Sequence, residues 1–263
     1  MDNMTAYFPY PLHHCKILHL VRHGQAMHNV EGDKNRDALL SPHLFDAQLS
    51  PLGCEQVDQL RKHFHASGLL NRIELVITSP LLRAIQTAVG VFGRNQIYTD
   101  RVKLEKASVM PAKEGDIDFD VVSTPNCPKI MAVELCRDRN GLRPCDKRRR
   151  VSDYQLLFPS LDYSMMDSDE DNLWIPAIRE SEEELAARGM KLMKWLWTRP
   201  EKEIAVVSHG IVLQQMLNVL GNDCNNTIRT SLCKRFDNGE LRSVVIVDKT
   251  GGNWGGRCSE EGN

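Results

Sequence analysis

Long apolar runs are missing from this chain: no stretch of about 18 apolar residues occurs in it, so nothing predicts a membrane-spanning helix and no membrane partner is expected. A charge excess is missing too. Lys and Arg number 33 against 35 acids, a net charge of −2, which removes the bulk electrostatic reason to expect nucleic acid or an anionic surface as partner. Any phosphate chemistry must be local. The eight cysteines, at 15, 54, 127, 136, 145, 224, 233 and 258, show no CxxC spacing and no disulfide ladder, so reduced thiols are expected. His13, His14 and Cys15 form a ligand-like cluster, yet no second pair stands at suitable spacing, and no metal or cofactor is predicted. The opening MDNMTAYFPYPLHHCK lacks a basic start followed by an apolar stretch, so a cytoplasmic protein is the expectation. Internal repeats are absent as well.

What is present is an alternation. Short runs rich in Val and Ile fall at Lys16 to Val21, Leu75 to Ile77, Ile130 to Val133, Ile204 to Val207 and Leu241 to Val247, and suit strands buried on both faces. Helical patterns lie between them. Ser50-Pro51 is an N-cap followed by a first-turn proline before Leu52, Val57, Leu60 and Phe64. Leu81 to Phe92 and Gly210 to Leu220 are similar, and Ser181 to Thr198 opens on a capping-box sequence. The rhythm predicts an α/β fold, a three-layer α/β/α sandwich around a mostly parallel sheet. A single domain over 1–250 is expected, with an insertion around 104–171 and a flexible tail at 251–263. Within the insertion, Leu104 to Pro128 reads as a long excursion near the sheet edge, Arg137 to Arg150 is basic, and Tyr163 to Trp174 carries the acidic DSDED.

In open α/β sheets ligands bind beyond the carboxyl ends of the strands. The first strand run ends in Arg22-His23-Gly24, the second in Ser79-Pro80 with Arg83 following, and the fourth in Ser208-His209-Gly210. Two arginines, two histidines and a helix start are what a tetrahedral dianion requires: guanidinium forks, oriented amides and a nucleophilic imidazole. A small phosphorylated substrate is therefore the expected partner. A homodimer is left open.

A bare Arg-His-Gly arises by chance in about one chain of this length in thirty and decides nothing alone. The ordered set LVRHG, LSPLG, SPLLRAIQTA and VVSHG resembles the histidine phosphatase superfamily, also called phosphoglycerate mutase-like, over roughly residues 15 to 247. The resemblance implies that His23 is the nucleophile and that Arg22, Arg83 and His209 bind the transferring phosphoryl group. It implies that Gly24 lets the backbone approach, that Asn29 adds a phosphate or orienting hydrogen bond, and that Gly210 opens the helix at the site. It also implies a carboxylic acid that protonates the leaving oxygen. Glu134 and Asp138 are the two main candidates, with Glu105 a third, and the choice stays open.

Mutases of the family typically show RHGESxWN, whereas this chain has RHGQAMHN. The stretches RPCDKRRRVSDYQLLFPSLDYS and WIPAIRESEEELAARG resemble a plant and fungal branch named for mutase similarity, whose members are regarded mostly as phosphatases. Hydrolysis through phospho-His23, without a metal, is therefore expected over phosphoglycerate mutase activity. An inactive relative that binds phosphorylated ligands or proteins is the reading from another class. Arg148, with Arg149 and Arg150, is read either as a grip for a second anionic group or as a solvated basic turn paired with DSDED. His28, His63 and His65 are read as structural or exposed, and Asp46 as a residue that fixes its loop.

Overall fold

The computed structural model describes residues 15–93, 127–220 and 225–247. His13, His14, Glu105, most of the predicted excursion and the tail lie outside them. Five strands form one sheet: β1 (Cys15–Arg22), β2 (Leu75–Thr78), β3 (Lys129–Ala132), β4 (Glu203–Ser208) and β5 (Leu241–Val247). Their spatial order is β3-β2-β4-β1-β5, parallel except for β5, which runs antiparallel to β1 along one edge. Seven α-helices are described: α1 (Met27–Lys34), α2 (Pro51–Ala66), α3 (Leu82–Phe92), α4 (Val151–Leu157), α5 (Glu182–Thr198), α6 (Gly210–Leu220) and α7 (Asn226–Leu232).

Strand alternation divides the core into two. Val21, Val76, Ile130, Ala205 and Val207 face one side and pack with Val57, Leu60 and Phe64 of α2, Ile85 and Ala88 of α3, and Tyr154 of α4. Leu18, Leu20, Ile77, Ile204 and Val206 face the other, against Leu185, Leu192 and Leu196 of α5 and Leu213 and Met216 of α6. Successive strand residues feed opposite layers, which is the physical content of a three-layer sandwich. Each fully buried Leu or Ile removes apolar surface worth about 1.5 to 3 kcal/mol.

The predicted caps form. Ser50 Oγ accepts the Gly53 amide at 3.1 Å, and Ser181 Oγ accepts the Glu184 amide while the Glu184 carboxylate accepts the Ser181 amide. Helix α3 is capped from a distance: Leu81, at its N-cap, has no capping side chain, and Asp46 Oδ1 accepts the Leu82 amide at 2.9 Å. Asp46 Oδ2 accepts from the Tyr154 hydroxyl at 2.7 Å and the Arg149 Nε at 3.2 Å. Asp46 thus ties its loop to α3 and α4, as expected of a loop-fixing residue.

The basic stretch does pair with DSDED, and Arg150 is exposed, but Arg148 itself fits neither reading. Arg148 is only 3% exposed, and each of its N–H groups is engaged, by Glu134 Oε1, Arg149 O, Asp169 O, Ser168 O and Glu170 O. It is neither a solvated turn nor a ligand grip. Arg137 is paired with Asp171 at 2.7 Å and with Glu134 at 3.1 Å. DSDED therefore folds back over two buried guanidiniums, its backbone carbonyls doing as much of the binding as its carboxylates.

Candidate active site

Parallel pairing sets the level of the site. Arg22 is in register with Ser208, and Thr78 with Val207, so His23, His209 and Ser79 leave the sheet at one height on its carboxyl edge. Helices α3 and α6 begin just beyond, carrying Arg83 and Gly210. Local chain logic and sheet pairing together bring three segments, far apart in sequence, to one point.

His23 is 1% exposed and its Nδ1 lies 2.7 Å from the Gly24 carbonyl oxygen. A carbonyl only accepts, so the proton sits on Nδ1 and the Nε2 lone pair is left available. The His209 ring is 5.0 Å from the His23 ring and the His28 ring 5.8 Å, centroid to centroid. Burial, and then the neighbouring His209, Arg83 and Arg22, push the His23 pKa well below its ordinary value, which keeps the imidazole neutral and nucleophilic at pH 7.

Arg83 is fully buried and pinned: one terminal nitrogen donates to Cys145 O at 2.6 Å, the other to Asp138 Oδ2 at 2.9 Å and Asp146 Oδ1 at 3.1 Å. Arg22 donates to Phe236 O at 2.7 Å. His209 has Nε2 2.8 Å from Ser79 Oγ, and Nδ1 3.2 Å from Asp138 Oδ2, an ion-pair distance off the line of a hydrogen bond. Burial pushes His209 down to about 4 against the pull of Asp138. Burial works against the charge of Asp138 too, but His209, Arg83 and the Arg139 amide hold it well below the usual carboxylate range.

Six buried side-chain polar atoms have no hydrogen-bond partner among the described residues, and four belong to this cluster: Arg22 Nε, His28 Nδ1, Arg83 Nε and His209 Nδ1. Buried donors left unpaired cost about 1 to 3 kcal/mol each. Their concentration around one imidazole makes this cluster the candidate site. A cavity of about 610 Å³ opens from it, with Arg22, His23, His28, Asn29, Asp138 and Gly210 in its wall. Arg83 and His209 are not in that wall, but both contact Asp138, which is.

The two candidate acids part company here. Asp138 faces the cavity, whereas Glu134 does not line it: its oxygens accept from Arg137 at 3.1 Å and Arg148 at 2.8 Å. The expected binding residues also divide. Asn29 and Gly210 line the cavity, and Asn29 Oδ1 accepts from the Ala26 amide and from Asn238. Gly24 does not; a Cβ there would stand 2.6 Å from Gly53 O, so its bareness admits the LSPLG backbone rather than a ligand. Arg148 lies away from the cavity, held as described above.

His28 takes the structural rather than the exposed alternative, and it also reaches the cavity. Read as structural or exposed, it is buried at the cavity wall with Nε2 accepting from Asn29 at 3.1 Å. Ala26, by contrast, is sealed in the core and bridged to Leu49, so the mutase-like Ser position of RHGQAMHN does not face the cavity. Reading the sequence also missed the Phe236-Asp237-Asn238-Gly239 loop, where Asn238 Nδ2 donates to His23 O at 3.2 Å. The Asn-Gly pair, with Gly239 at φ +72°, was the available turn signal. No group of three or more His, Cys, Asp or Glu among the described residues is arranged to hold a metal ion, and no described helix is long and apolar enough to cross a membrane.

Fold and rim define a class: an α/β/α protein with two buried histidines, buried Arg83 and half-buried Arg22 at the carboxyl edge of a mostly parallel sheet. The model of the histidine phosphatase superfamily (branch 1) matches residues 18–104. Phosphoglycerate mutase-like protein 1 of Arabidopsis thaliana is 52% identical over 241 residues, 92% of this chain and 84% of that protein. A second Arabidopsis thaliana relative, Phosphoglycerate mutase-like protein, is 50% identical over 97% of this chain and 92% of its own length. The solved structure of Bacillus stearothermophilus YhfR shares the fold, with a TM-score of 0.51 at 18% identity over 89% of this chain and 92% of that one. The chain belongs to the histidine phosphatase superfamily, in its phosphoglycerate mutase-like branch. That is a family of phosphatase and mutase type.

Proposed function

We propose that the protein is a phosphomonoesterase that hydrolyses a small phosphorylated metabolite through a phosphohistidine on His23. The unpaired buried donors around His23 carry this reading: Arg22 Nε, Arg83 Nε and His209 Nδ1 are left without partners in the protein, and a bound oxyanion is the kind of group that would satisfy them. His23 Nε2 attacks phosphorus as the ester oxygen leaves, and the arginines and His209 take up the charge on the other phosphoryl oxygens. Asp138 is the acid. Ionised at rest beside Arg83, it gains a proton when a dianion enters next to it, because two negative charges side by side raise the affinity for one. That proton goes to the leaving oxygen and frees the alcohol. The resulting carboxylate then takes a proton from water as the water attacks phospho-His23, the P–N bond breaking to give orthophosphate and free His23; Asp138 loses that proton again as the anion departs. Arginine and histidine supply the positive charge, so phosphate release is expected to survive EDTA.

Incubation with a labelled phosphate ester should give acid-labile, alkali-stable label on the wild-type protein and none on His23→Ala. Phosphate release by that variant at the wild-type rate would remove the mechanism. Isomerisation of 3-phosphoglycerate dependent on a bisphosphate primer, with negligible hydrolysis, would turn the reading to a mutase. Binding of phosphorylated ligands without turnover or label would leave a binding protein.

A further inference from the structure

The cavity is far larger than a phosphoryl group needs, and its outer wall is unevenly equipped. Arg139 and Arg179, which line it, are tied to the protein: Arg139 Nε donates to Glu180 O, and one terminal nitrogen of Arg179 to Asp146 Oδ2 and the carbonyls of Arg139 and Gly141. Arg36, Arg143 and Arg235 are not. They come from three separate segments, the turn after α1, the loop after Gly141 and the loop after α7, yet line the same cavity as His23. None of the three guanidiniums makes a hydrogen bond or ion pair in the described structure, although Asp33 and Asp237 share that wall. Apolar lining is confined to Leu39, Ile211, Phe236 and the stem atoms of polar residues.

Resting on the phosphatase reading, we propose that the substrate carries a second anionic group, a phosphate or a carboxylate, recognised by Arg36, Arg143 and Arg235 while its scissile phosphate lies against His23. Guanidinium forks bind oxyanions in paired hydrogen bonds; of the four aspartates in the wall, Asp138 and Asp146 are taken up by Arg83 and Arg179, so three free forks face two unpaired acids, Asp33 and Asp237. Arg148, the basic-stretch residue that sequence alone offered for this role, is excluded because each of its N–H groups is already bound. The same wall offers too little apolar surface for an isoprenoid or acyl tail.

The test uses matched pairs and the full chain. Fructose 1,6-bisphosphate is compared with fructose 6-phosphate for a second phosphate, and 3-phosphoglycerate with glycerol 3-phosphate for a carboxylate. Both kcat/KM and calorimetric affinity are measured. The doubly anionic member of at least one pair should be preferred about tenfold or more, and the pair that shows it identifies the second group. Arg36→Ala, Arg143→Ala and Arg235→Ala should each shrink that preference, by about tenfold for a fork lost from a charged contact. Phosphate release with no preference in either pair, or a preference untouched in all three variants, overturns the inference and leaves the phosphatase reading standing. Tighter binding of the double anions without any release does the reverse, and neither release nor preference removes both.

Discussion

Asp138 stands where two demands meet. It lines the cavity and touches Arg83 and His209, and under the proposed mechanism it also carries the proton that the leaving oxygen needs. Glu134 is spent on Arg137 and Arg148. Two substitutions separate these roles. Asp138→Asn should lower kcat on an alkyl phosphate by about a hundredfold or more, and much less on nitrophenyl phosphate, whose leaving group hardly requires a proton. Glu134→Gln should cost stability, read as a lower thermal midpoint, while changing the two substrates alike. A loss confined to alkyl phosphates in Glu134→Gln would reverse the assignment.

At the scale of elements, the site is held by carriers that do not touch it. The Asp138 loop is anchored by Arg188, which donates to Leu135 O, Arg137 O and Asp138 O, and by Gly141, whose φ of +78° and near contact with Ile178 O exclude a side chain. Beneath it, Asp171 neutralises Arg137, and its Oδ2 accepts the Arg148 amide. Asp171→Ala would leave buried Arg137 with only Glu134 and the Asp146 carbonyl, at a cost of about 1 to 3 kcal/mol. Denaturant unfolding should show that loss, with the same released fraction of activity in the molecules that remain folded. Gly141→Ala acts more locally. It should destabilise by about 1 to 3 kcal/mol through the clash and raise KM by moving Asp138, an outcome steady-state kinetics would register.

Across the whole molecule, buried neutral histidines make stability depend on pH. His23, His28 and His209 all have native pKa values pushed down, first by burial and then chiefly by neighbouring cations. Their unfolded counterparts titrate near about 6.5. Below that pH the unfolded chain binds protons that the native one refuses, so stability is complete above about pH 6.5 and falls as pH drops towards the native values. The carboxyl of Asp171, held down against burial by Arg137, adds a further loss in the same direction, but only below its unfolded pKa of about 4. The thermal midpoint should therefore decline from pH 6.5 to 5, and His28→Gln should flatten the slope. An unchanged slope in that variant would mean His28 is charged in the fold.

Much of this architecture was legible in the chain itself. Val- and Ile-rich runs marked the strands to within a residue or two, and Ser50-Pro51 and Ser181 marked helix starts, because strand alternation and capping are local. The RHG, SPLLR and SHG junctions pointed to His23, Arg22, Arg83 and His209 because chemistry clusters where parallel strands end. Tertiary structure alone divided Asp138 from Glu134, four residues apart, since which carboxylate meets Arg83 depends on how the loop folds over Arg188 and Gly141. It also buried Arg148, turned His28 inward, brought Asn238 to His23, and left Arg36, Arg143 and Arg235 free around one cavity. Those outcomes rest on contacts between distant segments, where burial and the competition for hydrogen-bond partners, rather than residue type, decide what each side chain is free to do.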